Sequence, residues 1–363
     1  MKLLLLSPGA SYSTADVEAG LRYGLEYHGV QVVQYRLDAR IARADKWLKN
    51  AWKVARKADP TVSKPNVADV FYQAGIGALE MALRHQVDCV LVVSGMFLHP
   101  DVVILMKRAG LKITVLMTES PYDDQELILA QMVDGCWTNE RTAVAAFQAV
   151  NPNSGYIPHG WHPERHKAGP QPGDEAFPEH DVVFVGTGFQ ERIDFLSAIN
   201  WTGIAFGLYG SWAMLGSNHK LRRYLREGHI DNPKTAALYR RAKIGLNLYR
   251  SSKGWGKQTL KVTTAESLNP RGYELAACGA FHLSTYRAEV ADVFGNLVPT
   301  FSHPTECAAL MRAWLADPEG RTQVASALPA RVAESSWTER ASRIIGDLQT
   351  LLQPPAAVLA HTG

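Results

Sequence analysis

Asp181-Val182-Val183-Phe184-Val185-Gly186-Thr187-Gly188 is the stretch on which the fold turns. Its continuous apolar run reads as a buried strand entering a glycine turn ahead of a helix. Downstream the same signature returns at Ile204 to Tyr209, ending on Gly210, at Ile244 to Tyr249 and at Ala280 to Ser284. Upstream the chain opens with a strand from Lys2 to Leu6, closed by Ser7-Pro8-Gly9. Val17, Leu21 and Leu25 then recur at helical steps, Gly29 stops that helix, and Val30 to Tyr35 reads as a second strand. Arg43 to Arg56 predicts a helix with Lys46, Lys49, Lys53 and Arg56 on one side and Trp47, Ala51 and Ala55 on another. Further strands are expected at Asp88 to Val93, Lys112 to Met117 and Cys136 to Asn139, with a short helix from His99-Pro100 to Ala109. Trp337 to Leu352 reads as a last helix, stopped by Pro354-Pro355. Strand–helix alternation that starts twice predicts two parallel α/β units with a cleft between them, the boundary falling in the Pro-, Gly- and His-rich segment 151–178.

Composition agrees with a globular chain of about two domains: 363 residues, 46% hydrophobic and 20% charged. The four cysteines, Cys89, Cys136, Cys278 and Cys307, have no repeated spacing, which argues against a disulfide scaffold or a thiolate zinc site and fits a cytoplasmic protein. The four-leucine run at the start is too short for a signal-peptide core, and no apolar stretch reaches the ~18 residues of a membrane span. The net charge of +3 is unevenly spread. Residues 36–64 carry nine Lys/Arg against three Asp, and residues 220–243 carry eight Lys/Arg against two acids, so each block is +6 on an otherwise acidic chain. Such blocks mark either an acidic partner or solvated helix faces.

Several chemistries are excluded by spacing. Gly186-Thr187-Gly188 lacks the third glycine and the later acidic residue of a nicotinamide site, yet its turn leaves backbone N–H groups at a helix start suited to phosphate. Arg192, in the first turn of that helix, opposes the helix dipole and is better explained by a bound anion. Gly254 to Gln258 fails the P-loop pattern and reads as a flexible loop. His159, His162 and His166 are separated by prolines that prevent one helical face, so they read as loop histidines in a domain hinge rather than a metal site. No metal is expected. Glu266 to Gly279 is richest: Glu266 and Glu274 stand eight positions apart, and a helix beginning near Pro270 and Arg271 ends at Gly279. Glu274 in its first turn can accept two ribose hydroxyl protons, and Arg271 can neutralise phosphate beside the same helix start.

These residues resemble the nucleotide-sugar glycosyltransferases with two facing Rossmann-like domains, the GT-B fold, and within them the spore-maturation CgeB-like glycosyltransferase family. The carriers are Glu266 and Glu274 followed by Leu275-Ala276-Ala277-Cys278-Gly279, the Asn269-Pro270-Arg271 before it, and Val185-Gly186 to Arg192, which is similar to a diphosphate segment with Thr187 in place of its arginine and Arg192 in place of its lysine. The resemblance implies an N-terminal acceptor domain over 1–160, a donor domain over 161–336, and a helix over 337–353 returning to the first. It implies a sugar-nucleotide donor held by Gly186, Arg192, Glu266, Asn269, Arg271 and Glu274, with no further cofactor. Ser7-Pro8-Gly9 matches the acceptor domain's first loop, and Ile157 to Gly160 the interdomain crossing.

Sugar transfer by such a site needs positive charge against the leaving diphosphate, supplied without metal by Arg192 and Arg271. Acceptor activation in the first domain would fall to Glu119, Asp123 or His99, which follow strand ends. The acceptor stays open. Lys46, Lys49 and Lys53 fit phosphate contacts of a hydroxylated, phage-type DNA base acceptor; the alternatives are a cell-surface glycan or small molecule, or a non-catalytic sugar-nucleotide binding protein. Trp47 and Trp52 are expected in the core, with base stacking as the functional alternative.

Overall fold

The computed structural model describes residues 1–118, 120–226, 228, 230–250 and 264–353. Glu119 and the 254–258 loop therefore lie outside the described residues. Strands β1 (Lys2–Ser7), β2 (Gln31–Arg36), β3 (Cys89–Val93), β4 (Lys112–Met117), β5 (Gly135–Thr138) and β6 (Ser154–Tyr156) form one parallel sheet in the order β2-β1-β3-β4-β5-β6. Strands β7 (His180–Val185), β8 (Phe206–Tyr209), β9 (Ala242–Asn247), β10 (His282–Thr285) and β11 (Thr300–Phe301) form a second, in the order β11-β10-β9-β7-β8. Both are covered by helices on their two faces, which is why their central strands are apolar without alternation. Leu4, Leu6, Val90 and Val92 pack to one face of the first sheet, while Leu3, Leu5, Cys89 and Leu91 pack to the other. Two Rossmann-like domains thus face each other in the GT-B arrangement.

The chain crosses between the sheets twice, side by side. Trp161 N–H donates to the Ser335 carbonyl at 3.2 Å and Trp337 N–H to the Trp161 carbonyl at 2.9 Å. The Trp337–Leu352 helix then buries Trp337, Ala341, Ile344 and Leu348 in the core of the first sheet, beside Val17, Leu21 and Leu25 of the Ala15–Tyr27 helix.

The Asp38–Ala58 helix corrects an expectation. It begins directly after β2, five residues before Arg43, and that early start sets its phase. Ile41, Ala44 and Leu48 turn to the core, so Ala51 and Ala55 stay exposed and Trp47 is 58% exposed. Trp52 is half-buried, donating its indole N–H to the Val62 carbonyl at 3.0 Å. Half of the eight cations of the 220–243 block are also already engaged. Arg240 is held by buried Asp174 at 2.6 Å, Arg241 by Glu179 at 3.1 Å and Lys243 by Asp181 at 2.8 Å, while Arg222 is bonded to the carbonyls of Leu215 and Gly216.

Candidate active site in the interdomain cleft

The carboxyl ends of both sheets open on one cleft of about 1040 Å³. Residues after β1 (Ser11, Tyr12), β4 (Thr118, Ser120) and β5 (Asn139, Glu140) form one wall, and residues after β7 (Gly186, Thr187), β8 (Gly210, Ser211) and β9 (Tyr249, Arg250) the other. This is where open α/β sheets place ligands, because the following helices aim their N-termini there.

The second wall is built around arginines. Arg192 is 7% exposed; it donates to the Thr187 carbonyl at 3.0 Å and the Leu248 carbonyl at 2.7 Å, and its Nε is buried without a partner among the described residues. Burial, with Arg271 and Arg250 nearby, pushes its pKa well below the usual guanidinium range. Arg271 donates Nε–H to the Val185 carbonyl at 2.9 Å and reaches Asn247 Oδ1 at 3.3 Å. Gly186 is needed for that: a Cβ there would lie 2.5 Å from Arg271 Nη2. Neither Arg192 nor Arg271 forms an ion pair among the described residues. Asn269 caps the Pro270–Ala277 helix, accepting the Gly272 N–H at 3.1 Å, and ties its amide to Asn247 at 2.8 Å. Glu274 is buried in that helix with Asn232 Nδ2 at 3.4 Å, and burial first, then Asp16 from the first domain, pushes its pKa up to about 7. Gly186, Arg192, Asn269, Arg271 and Glu274 all line the cleft.

Other expectations are placed elsewhere. Glu266 does not line the cleft: Arg141 of the first domain holds its carboxylate at 2.7 Å and also binds Asp292. His99 caps the Pro100–Arg108 helix, its Nδ1 accepting the Asp101 N–H at 3.2 Å, and Asp123 caps the Asp124–Met132 helix, accepting the Gln125 N–H at 2.8 Å. Both are at strand-end level, but neither lines the cleft, because backbone N–H groups already draw their polar atoms. Gly9 is at the base of the loop after β1, at φ +108, with Asp38 where a Cβ would be; Asp38 in turn receives the Ser11 N–H at 3.3 Å. Lys46, Lys49 and Lys53 are exposed on the Asp38–Ala58 helix outside the cleft, and Lys49 is paired with Asp45 at 2.7 Å. The three histidines do not converge, and no group of three metal-ligating side chains occurs among the described residues.

Sequence reasoning missed the residues that join the walls. Glu140, fully buried, accepts the N–H groups of Glu266 at 3.0 Å and Ser267 at 3.2 Å and faces Arg287 at 3.5 Å. Arg250 donates Nε–H to the Ser120 carbonyl at 3.1 Å, and Tyr156 bonds Glu289 at 2.5 Å. Each pairs residues over a hundred positions apart, so no local pattern carried them; the one available signal was charge in a strand-end loop.

Residues 191–346 match a family model described as glycosyl transferase-like. Among curated proteins, none matches the sequence. Solved structures of the same fold include an E. coli trehalose-6-phosphate structure bound with UDP-2-fluoro glucose (11% identity, TM-score 0.60, 98% of this chain and 99% of that one). A UDP-forming trehalose-phosphate synthase from Burkholderia xenovorans is similar (11%, 0.60, 97% and 99%). So is a Listeria monocytogenes protein assigned as a UDP-N-acetylglucosamine 2-epimerase (13%, 0.58, 96% and 96%). The GT-B fold is therefore shared across the whole chain, and the glycosyl transferase-like match falls on the wall that carries Arg192, Arg271 and Glu274. Among the described residues, no helix is long and apolar enough to cross a membrane.

Proposed function

We propose that the protein transfers a sugar from a nucleotide-diphosphate donor to an acceptor hydroxyl, with the donor on the second wall and the acceptor on the first. Arg192 carries this reading. A guanidinium buried beside further cations in a cleft, with no carboxylate and no Nε partner among the described residues, is unfavourable until an anion arrives. A diphosphate supplies that anion. Arg192 and Arg271 then oppose the charge that grows on the leaving group as the anomeric bond breaks, with Arg250 and Arg287 adding to the field. Glu274 takes the ribose hydroxyls. In this scheme arginines carry the neutralisation, and the donor domain spans 161–336.

For the acceptor, a hydroxylated DNA base remains one reading, supported by the exposed lysines of the Asp38–Ala58 helix and by Trp47, which is open to solvent beside them. A neutral glycan or small molecule is the other, supported by the hydroxyls of Ser11, Tyr12, Ser13, Thr118 and Ser120 on the acceptor wall. The CgeB-like assignment belongs with these acceptor proposals.

The test is calorimetric titration with a panel of nucleoside diphosphates, followed by transfer assays on hydroxymethylated DNA and on soluble glycosides. Saturable diphosphate binding and acceptor-dependent release of nucleoside diphosphate are expected. Failure of every diphosphate to bind sinks the reading. Binding with no turnover, not even slow donor hydrolysis, would leave a sugar-nucleotide binding protein instead.

A further inference from the structure

His159 lines the cleft at the first interdomain crossing, yet it is only 4% exposed. Its Nε2 contacts Asn139 Nδ2. The orientation of that amide is fixed independently. Nδ2 also faces the Thr118 carbonyl at 3.3 Å, which only a donor can do, and Oδ1 receives the Tyr122 hydroxyl at 2.5 Å. The Tyr122 hydroxyl is itself held by Thr138, whose Oγ1 donates at 3.0 Å. Asn139 therefore presents N–H to the ring, Nε2 must accept, and the single proton of the neutral imidazole is on Nδ1. Burial, with Arg250, Arg340 and Arg287 nearby, pushes the pKa down to about 3, so the ring stays neutral.

Nδ1 is buried and has no partner among the described residues. A buried N–H donor left open in this way is costly unless something fills it. The same wall carries two further buried atoms without a partner among the described residues, Thr118 Oγ1 and Ser120 Oγ, and the opposite wall carries Arg192 Nε. These unmet groups outline one polar ligand. The groups acting on His159 are all guanidiniums, two of them, Arg250 and Arg287, from the donor wall, so an electron-rich oxygen suits the position. We infer that His159 is a donor-substrate binding residue, held by the Thr138–Tyr122–Asn139 chain as the Nδ1–H tautomer and giving that hydrogen bond to an oxygen of the bound sugar diphosphate. In this state it cannot take a proton at Nδ1, so it positions the donor and leaves base catalysis to other groups. The inference rests on the donor reading above and adds a residue and a protonation state to it.

Two measurements on the full chain test it. Long-range proton–nitrogen correlation spectra of ¹⁵N-histidine protein, with His159 assigned through its contacts to Asn139 and Arg340, report the tautomer directly. A proton on Nδ1 at neutral pH, with the ring still neutral at mildly acidic pH, is expected; a proton on Nε2, or a charged ring, overturns the inference. The second measurement compares His159→Gln with His159→Asn. A glutamine amide reaches the Nε2 position and an asparagine amide the Nδ1 position. Gln should weaken UDP-glucose binding roughly tenfold, and Asn by less than about threefold. Weakening of UDP and UDP-glucose alike assigns a phosphate oxygen, and weakening of UDP-glucose alone assigns a sugar oxygen. Equal losses in both variants, or none in either, overturn the inference while the donor reading survives. If UDP does not bind, the same comparison is made with whichever nucleoside diphosphate of the panel does and its sugar nucleotide; a wild-type chain that binds none of them removes both, and the spectra then show whether the tautomer assignment also fails.

Discussion

Arg36 on one wall of the cleft and Arg192 and Arg271 on the other are held in opposite ways. On the first, Arg36 is held by buried Glu18 at 3.0 Å, and at its rim Arg165 from the linker meets Asp16 at 3.5 Å. On the second, Arg192 and Arg271 are anchored through carbonyls and an amide, with no ion pair among the described residues. Paired charges are already satisfied and serve the architecture; cations left unpaired are the ones a bound anion would complete, which is the basis of the proposed donor site. Substituting one member of each set makes the sharpest comparison. Arg192→Met should weaken nucleoside-diphosphate binding by about 10- to 100-fold, as expected for loss of charge-assisted hydrogen bonds. Arg36→Met should leave that affinity within about twofold. Calorimetry on both variants checks this, and similar losses in the two would erase the distinction between the walls.

Glu274 sharpens the same contrast from the acidic side. Glu274→Gln should weaken nucleotide binding by about tenfold or more while leaving the fold intact. Its raised pKa has a second consequence. A carboxyl whose pKa is lifted to about 7 by burial contributes stability that is fully present below the unfolded value near 4.5 and is lost as pH rises through about 7. The ligand-free glutamine variant should therefore gain in melting temperature relative to wild type at pH 8 and show no such gain at pH 5. Wild-type nucleotide affinity should rise across the same interval as the carboxylate ionises, and the variant should lose that dependence. A variant that melts lower than wild type at pH 8 would contradict the idea that this carboxylate is held at a cost for the sake of its ligand.

What could be read from sequence follows the range of the interaction. β4 falls at Lys112–Met117 as its apolar run foretold, since a strand buried on both faces announces itself in consecutive residues. Arg271 and Glu274 were legible because helix cap, cation and carboxylate lie within one turn and a half of one segment. The phase of the Asp38–Ala58 helix was not, because it depends on where β2 hands over to the helix rather than on the helix's own pattern. His99 and Asp123 show the converse: as polar residues after strands they were legible, but the helices they cap were not part of that reading. His159 read as a hinge histidine, and Pro158 and Pro163 kept it from any helical motif. Its tautomer depends on Asn139, Tyr122 and Thr118, which only the packed β4 and β5 loops bring together. Glu140 and Ser267 meet across 127 positions, and only the closed pair of domains joins them.

The smallest effect concerns the basic helix, where the contrast between paired and unpaired cations operates on an exposed surface. Lys46 and Lys53 are exposed there, whereas Lys49 is drawn to Asp45 one turn back. If duplex DNA binds this face, each lysine contact released by salt contributes about 0.9 to the log–log slope of affinity against salt. Replacing Lys46, Lys49 and Lys53 together with Gln should then reduce the slope by about 2, since Lys49 already has a counterion. Lys49→Gln alone should hardly move it. Stability should change by less than about 1 kcal/mol, because the helix buries Ile41, Ala44 and Leu48 and not this face. Nucleotide affinity should stay unchanged, as the three lysines lie outside the cleft. Anisotropy titrations across a salt series, wild type beside the triple and single variants, decide the matter. A wild type without salt-dependent binding removes the nucleic-acid acceptor, whichever basic block would have carried it.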